Sequence, residues 1–191
     1  MIQSVAIMQQ RDNVGNNIII PNSTEERKLL VRCMILTGTL LVLDQITKAV
    51  IEKYITSPVP VIPHFFDIVK VYNTGAAWGI FAGQRWPLLT ISILFFLFSI
   101  FYARKLAEGW PERYYSLALV ISGIFGNSVD RIWRDGKVVD FLDFYISKYH
   151  WPAFNVADSA ICVGVGIYML SSIIRPSSET SVNEIKKSES E

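Results

Sequence analysis

Five aspartates, Asp130, Asp135, Asp140, Asp143 and Asp158, fall in one stretch of this 191-residue chain. Two carboxyls held close together cannot both ionise easily, so one keeps a proton while the other is free to take one from water. That is the chemistry of a general acid–base pair. Spacing alone does not say which of the five pair. Asp140 closes a polar connection in Val138-Val139-Asp140-Phe141, and Asp158 opens a long apolar run in Phe154-Asn155-Val156-Ala157-Asp158-Ser159. Both border segments of membrane-spanning character, where ionised groups are costly and tend to mark function. Helix capping competes at Asp158, because an acid at a helix start is favoured by the free N–H groups and the dipole.

Other polar residues gather near the same ends of the apolar segments. Asp44 and Lys48 are four apart, which puts acid and base on one helical face. They read either as a neutralising pair that holds a helix end near the interface or as part of a site. Asn127, Asp130 and Arg131 fall within one turn, as a network tying helices together or as a site lining. Asn73-Thr74-Gly75-Ala76-Ala77 suits a tight turn whose backbone can approach another chain. Rival chemistries lack support. His64 and His150 form no His-Glu-x-x-His zinc pattern, no Gly-x-Ser-x-Gly elbow occurs, and Ser128 and Ser159 have no neighbouring His. No glycine-rich phosphate loop is present. Carboxylate chemistry remains, with no metal or cofactor required.

The elements that must position these residues are apolar helices. The chain is 51% hydrophobic and 18% charged, against roughly a quarter charged in soluble domains. A net charge of +1 gives no electrostatic case for nucleic acid. Uncharged runs occupy residues 33–43, 86–103, 114–129 and 159–174. Only the second reaches the roughly 18 residues that suffice for a spanning helix. The others become long enough if their charged ends enter the membrane, which gives spans of about 33–52, 86–104, 113–132 and 156–175. A soluble bundle is the competing fold, but residues 88–103 show no polar stripe. The expected fold is therefore an all-α membrane protein with four transmembrane helices. Between the first two spans, Pro58, Pro60 and Pro63 precede an alternating stretch from Phe66 to Tyr72, which predicts short strands on the membrane surface. Trp78, Phe81 and Trp86 then suggest a short interfacial helix. The loop 133–154 carries an Asp135-Gly136 turn. Residues 1–26 read as a flexible polar extension without secretory-signal character, and 176–191 as a disordered tail. Basic residues lean slightly towards cytoplasmic termini. Cys33 and Cys162 fall in opposite leaflets and read as packing residues.

Taken together, Asp44-Gln45-Ile46-Thr47-Lys48, Asn73-Thr74-Gly75-Ala76-Ala77-Trp78, Gly126-Asn127-Ser128-Val129-Asp130-Arg131, Val138-Val139-Asp140-Phe141 and Phe154-Asn155-Val156-Ala157-Asp158-Ser159 resemble the lipoprotein signal peptidases, or signal peptidase II. The likeness covers about residues 33–175, with the motifs in the family's order. Departures are the polar N-terminal extension and Trp78-Gly79, where the family often has Phe and a small residue. The resemblance implies a multi-pass enzyme of the bacterial inner (cytoplasmic) membrane, with both termini cytoplasmic and the site near the outer surface. Its substrates would be diacylglyceryl-modified prolipoproteins, cut on the amino side of the lipidated cysteine. By the motifs, the catalytic aspartates map to Asp140 and Asp158, and Asp130 to a supporting position outside that dyad. Asp44, Lys48, Asn73, Gly75, Asn127, Arg131 and Asn155 map to residues that shape the site or hold substrate. No cofactor is implied, membrane lipid is the surrounding partner, and a monomer is the favoured state. Residues 73–81 are expected to help clamp the substrate.

Two other classes use the same residues differently. A small proton- or ion-coupled carrier would run a relay through the carboxylates, although four spans leave little room for paired repeats. A scaffold protein would use the polar residues only for helix packing.

Overall fold

The computed structural model describes residues 24–76 and 80–175. The expectations for residues 1–23, for the tail 176–191 and for Trp78 lie outside them. Four long helices and a small antiparallel sheet follow one another as α1 (Thr24–Tyr54), β1 (Val59–Ile62), β2 (Phe66–Asn73), α2 (Arg85–Ala107), α3 (Pro111–Trp133), β3 (Val138–Ile146), β4 (Tyr149–His150) and α4 (Val156–Ile174).

Helix α1 has 31 residues, about 46 Å at 1.5 Å per residue, which exceeds a hydrocarbon core of roughly 30 Å. It begins at Thr24, with Glu25 and Glu26 in its first turn, so the extension expected over 1–26 gives way to helix before its predicted end. The run through Asp44 and Lys48 to Ile51 continues as one helix, because both charges are buried against partners and not exposed to lipid. Helix α2 exposes Ile93, Leu94, Leu97, Phe98 and Phe101, the apolar-all-round surface of a helix facing lipid. It stops where Glu108 and Gly109 turn left-handed, and Pro111 starts α3 at a position where its missing N–H costs nothing.

Helix α3 is the hub and touches the other three helices. Its buried face is small and polar, with Ser116, Ser122, Gly123, Gly126, Asn127 and Asp130. Small residues let backbones approach. A Cβ on Gly123 would collide with the Ala157 carbonyl, and one on Gly126 would come within 2.6 Å of Asp44 Oδ2. Among the described residues three helices, α1, α2 and α4, are long and apolar enough to cross a membrane. The polar face just named keeps α3 out of that group, so the expected fourth span does not stand on length and composition.

The sheet runs β1-β2-β3-β4, antiparallel throughout. The alternating 66–72 stretch forms β2 as expected. Its partner comes from the expected loop 133–154. The turn at Asp135-Gly136 is present, with φ of 52° and 82°, but the chain then enters β3. Residues 80–83 form turns, and the expected short interfacial helix is not found among the described residues. Two apolar clusters hold the ends. Leu29, Cys33, Ala107, Tyr114 and Ala118 pack at one end, and Ile51, Val139 and Phe141 seat the sheet on α1 at the other. Cys33 is a buried free thiol as expected, while Cys162 is exposed on α4 and fills no core.

Candidate active site

Strand register and a helix start bring the two main aspartates together. In the β2–β3 ladder Asp140 stands opposite Val71, and Asn73 opposite Val138. On its other side β3 meets the approach to α4, where Phe141 N and Leu142 N both donate to the Phe154 carbonyl. Asn155 therefore lies beside Asp140. It caps α4, its side chain accepting from Asp158 N at 3.0 Å while Asp158 Oδ2 accepts from Asn155 N at 3.2 Å. This reciprocal box satisfies two helix-terminal donors and fixes the Asp158 rotamer. Asp158 is thus a capping residue and also part of the polar cluster.

Neutral amides connect the two carboxyls. Asn155 Nδ2 donates to Asp140 Oδ1 at 2.7 Å, and Asn73 Nδ2 to Asp140 Oδ2 at 3.1 Å. Asn127 Nδ2 donates to Asp158 Oδ1 at 2.7 Å, and Asn127 Oδ1 accepts from Asn155 Nδ2 at 3.2 Å. Asp140 and Asn155 are 2% and 0% exposed, so the bond between them is shielded from water. Burial, and next the charge of Asp158, push the Asp140 carboxyl up to about 7, so it holds a proton near neutral pH.

Beneath the amides lies a buried charge cluster. Lys48 Nζ is 2.9 Å from Asp44 Oδ2, 2.9 Å from Asp130 Oδ2 and 3.0 Å from Asn127 Oδ1. By occupying Asn127 Oδ1 it turns the amide NH2 of Asn127 towards Asp158. Asp44 Oδ1 accepts from Ala157 N at 3.0 Å, adding another satisfied N–H at the α4 start. The i, i+4 pair read from sequence is therefore real, and it braces α3 and α4 as well as its own helix.

Arg131 reaches from α3 to the turn after β2. Its Nη2 donates to the Gly75 carbonyl at 2.7 Å, and Gly75 N donates to Asn73 Oδ1 at 2.9 Å, an Asx turn of the predicted kind. The guanidinium lies within Coulombic range of Asp158, Asp130 and Asp140. Its Nε is buried with no hydrogen-bond partner among the described residues. Such donors are rare and need an explanation.

The structure gathers Asp44, Lys48, Asn73, Gly75, Asn127, Asp130, Arg131, Asp140, Asn155 and Asp158 at one end of the bundle. It leaves out two of the five aspartates. Asp135 is 90% exposed and pairs with Arg85, and Asp143 meets His150 at 2.9 Å on the outer sheet. Sequence reasoning missed Gln45, whose Nε2 reaches Asp130 Oδ1 at 2.9 Å, and Arg134, whose Nη1 reaches the same oxygen at 2.8 Å. The i, i+4 spacing of Asp130 and Arg134 was the available clue. No group of three His, Cys, Asp or Glu side chains suited to a metal occurs among the described residues.

This arrangement can be set beside known proteins. The family model described as signal peptidase (SPase) II matches residues 36–174. The lipoprotein signal peptidase of Syntrophotalea carbinolica is 44% identical over 147 residues, covering 73% of this chain and 90% of the relative. That of Syntrophus aciditrophicus is 40% identical over 164 residues, covering 81% and 99%. A bacterial membrane enzyme solved by the in meso method at 2.3 Å superposes with a TM-score of 0.68 at 31% identity, over 77% of this chain and 92% of that one. A second such structure, at 1.9 Å, gives 0.67 at 32% identity, over 76% and 94%. With its apolar helices and its amide-linked carboxyl pair, this membrane-embedded chain belongs to the signal peptidase II family.

Proposed function

We propose that this protein is an aspartic endopeptidase that removes signal peptides from diacylglyceryl-modified prolipoproteins, cutting on the amino side of the lipidated cysteine. The observation that carries the reading is the shared contact at Asn155, whose side chain donates to Asp140 while its backbone N–H donates to Asp158. Two carboxyls joined through one residue are placed to share a proton. Asp158, in the first turn of α4, has both carboxylate oxygens met by donors, Oδ1 by the Asn127 amide and Oδ2 by the Asn155 N–H. Asp158 is then the base and Asp140 the acid. Asp158 takes a proton from water as the water oxygen bonds to the scissile carbonyl carbon. Asp140 gives its proton to the carbonyl oxygen, and Arg131 Nε is the spare donor for that developing charge. Collapse of the tetrahedral species breaks the C–N bond as the proton on Asp158 passes to the leaving amine and a hydroxyl of the diol returns its proton to Asp140.

The architecture suits a substrate whose acyl chains stay in the bilayer while its peptide bond meets water. In this reading all four helices cross the bacterial inner membrane, both termini are cytoplasmic, and the dyad lies near the outer surface. Helix α3 crosses with its polar face turned inward against its neighbours. The turn at Asn73–Gly75, held by Arg131, helps to place the substrate.

The test uses purified protein in lipid with a diacylglyceryl-modified prolipoprotein. Asp140→Asn and Asp158→Asn, each checked for folding, should lose at least roughly a hundred- to ten-thousandfold in rate. Full cleavage by either variant sinks the dyad, and no cleavage by the parent reopens the carrier and scaffold readings.

A further inference from the structure

Arg134 caps the end of α3, just before the connection to β3. Its side chain is 17% exposed. Nη1 donates to Asp130 Oδ1 at 2.8 Å and to Gln45 Oε1 at 3.2 Å, and Nε donates to Glu52 Oε2 at 2.9 Å. The planar fork thereby joins the end of α3 to two places on α1. Glu52 extends the junction to β2, because its side chain accepts from Tyr72 Oη at 3.4 Å and its carbonyl from Lys70 Nζ at 3.2 Å.

The path from Arg134 to the dyad is short. Asp130 uses one oxygen, Oδ1, for Arg134 and Gln45, which leaves Oδ2 for Lys48 and for the Val139 N–H at 3.2 Å. Val139 is the residue before Asp140, it is fully buried, and its carbonyl accepts from Asn155 Nδ2 at 3.3 Å. A rotation of the Asp130 carboxylate would release the Val139 N–H and let the start of β3 shift. Arg134 opposes that rotation with a charge-assisted bond, which is roughly twice as strong as a neutral one. Gln45 alone would hold the same oxygen with a neutral amide.

We propose that Arg134 is a positioning residue for the dyad: by fixing the orientation of the Asp130 carboxylate it fixes the Val139 peptide, and with it the place of Asp140 relative to Asp158. The inference rests on the prolipoprotein-cleaving reading for its kinetic consequence but not for its structural one. A displacement of about 1 Å at reacting groups costs on the order of a hundredfold in rate, with little change in binding.

The full chain in lipid provides both readouts. Arg134→Ala should lower kcat by roughly ten- to hundredfold while KM stays within about twofold. Hydrogen exchange at the Val139 amide should quicken in the same variant, whether or not the parent cleaves the substrate. Arg134→Lys, which keeps a cation four residues from Asp130, should recover part of kcat and slow that exchange again. Unchanged exchange at Val139 in Arg134→Ala overturns the proposal, as does kcat equal to the parent's. A Lys variant no better than Ala reduces Arg134 to a brace and overturns it too. A parent that cleaves nothing, with exchange behaving as expected, counts against the enzymatic reading alone.

Discussion

The two ends of this bundle both bury charge, and they dispose of it in opposite ways. At the end away from the dyad, Glu26 is 1% exposed and takes Arg104 Nε at 2.8 Å and Tyr114 Oη at 3.3 Å. Arg113, 2% exposed, donates to Glu108 at 2.7 Å, Ser171 at 3.1 Å and the Arg175 carbonyl at 2.7 Å. Arg175 in turn pairs with Glu112 at 3.0 Å and stacks on Trp110. Each acid there meets a cation directly. At the dyad end Lys48 is shared by Asp44 and Asp130, and neither Asp140 nor Asp158 takes part in an ion pair among the described residues. Among the described residues their hydrogen bonds come from the amides of Asn73, Asn127 and Asn155 and a backbone N–H. Direct pairing commits a carboxylate to structure. Amide contacts hold its position and leave its proton available.

The comparison breaks hardest at Lys48. Lys48→Met would leave Asp44 buried without a counter-ion and Asp130 with Arg134 alone, a loss of about 3–5 kcal/mol by analogy with broken buried pairs. Thermal unfolding in detergent measures this directly. Cleavage should fall as well, because Asn127 loses the contact that orients its amide towards Asp158. A variant as stable as the parent would mean that the cluster is not charge-balanced by Lys48.

A smaller effect sharpens the claim that the dyad's proton is available. The Asp140 carboxyl is raised from 3.8 to about 7 by burial and by the charge of Asp158. Between those values the folded protein holds a proton that the unfolded chain has released. Stability from this group is therefore present at low pH and declines as pH rises from about 4 through about 7. The same deprotonation removes the acid, so kcat/KM should decline on an alkaline limb near pH 7, by roughly tenfold per pH unit beyond it. A rate profile flat from pH 6 to 9 would mean that Asp140 needs no proton. In Asp140→Asn the part of the pH drift that belongs to this group should disappear.

The smallest effect belongs to the opposite end. The Arg175–Glu112 pair is about one-third exposed on both sides. Glu112→Gln should cost at most about 1 kcal/mol, read by thermal unfolding, with cleavage at the parent's rate. Impaired cleavage there would show that the two ends are coupled, and the contrast between them would fail.

How much of this was legible in the sequence varies by element. The apolar runs located the cores of the four helices, and the alternation at 66–72 located β2. Strand β3 was not legible. Its first four residues, Val138, Val139, Asp140 and Phe141, are all buried, so no period of two appears. Local spacing gave the Asp44–Lys48 pair and the cap at Asn155 and Asp158, since both are contacts within a turn of helix. Gln45 and Arg134 stayed hidden because their bonds to each other and to Asp130 mostly cross between helices, with sequence separations of 85 and 89 for Gln45 with Asp130 and with Arg134.

Residue type and order alone thus determined an apolar helical chain with carboxylates at its span ends, and the motifs singled out Asp140 and Asp158 among five candidates. Only the tertiary structure decided why that pair differs from the rest. Asp130 faces Lys48 and Arg134, Asp135 faces solvent and Arg85, Asp143 faces His150, and the remaining two face amides. A carboxyl's protonation depends on what surrounds it in space, and these surroundings come from four helices and a sheet that meet only after folding.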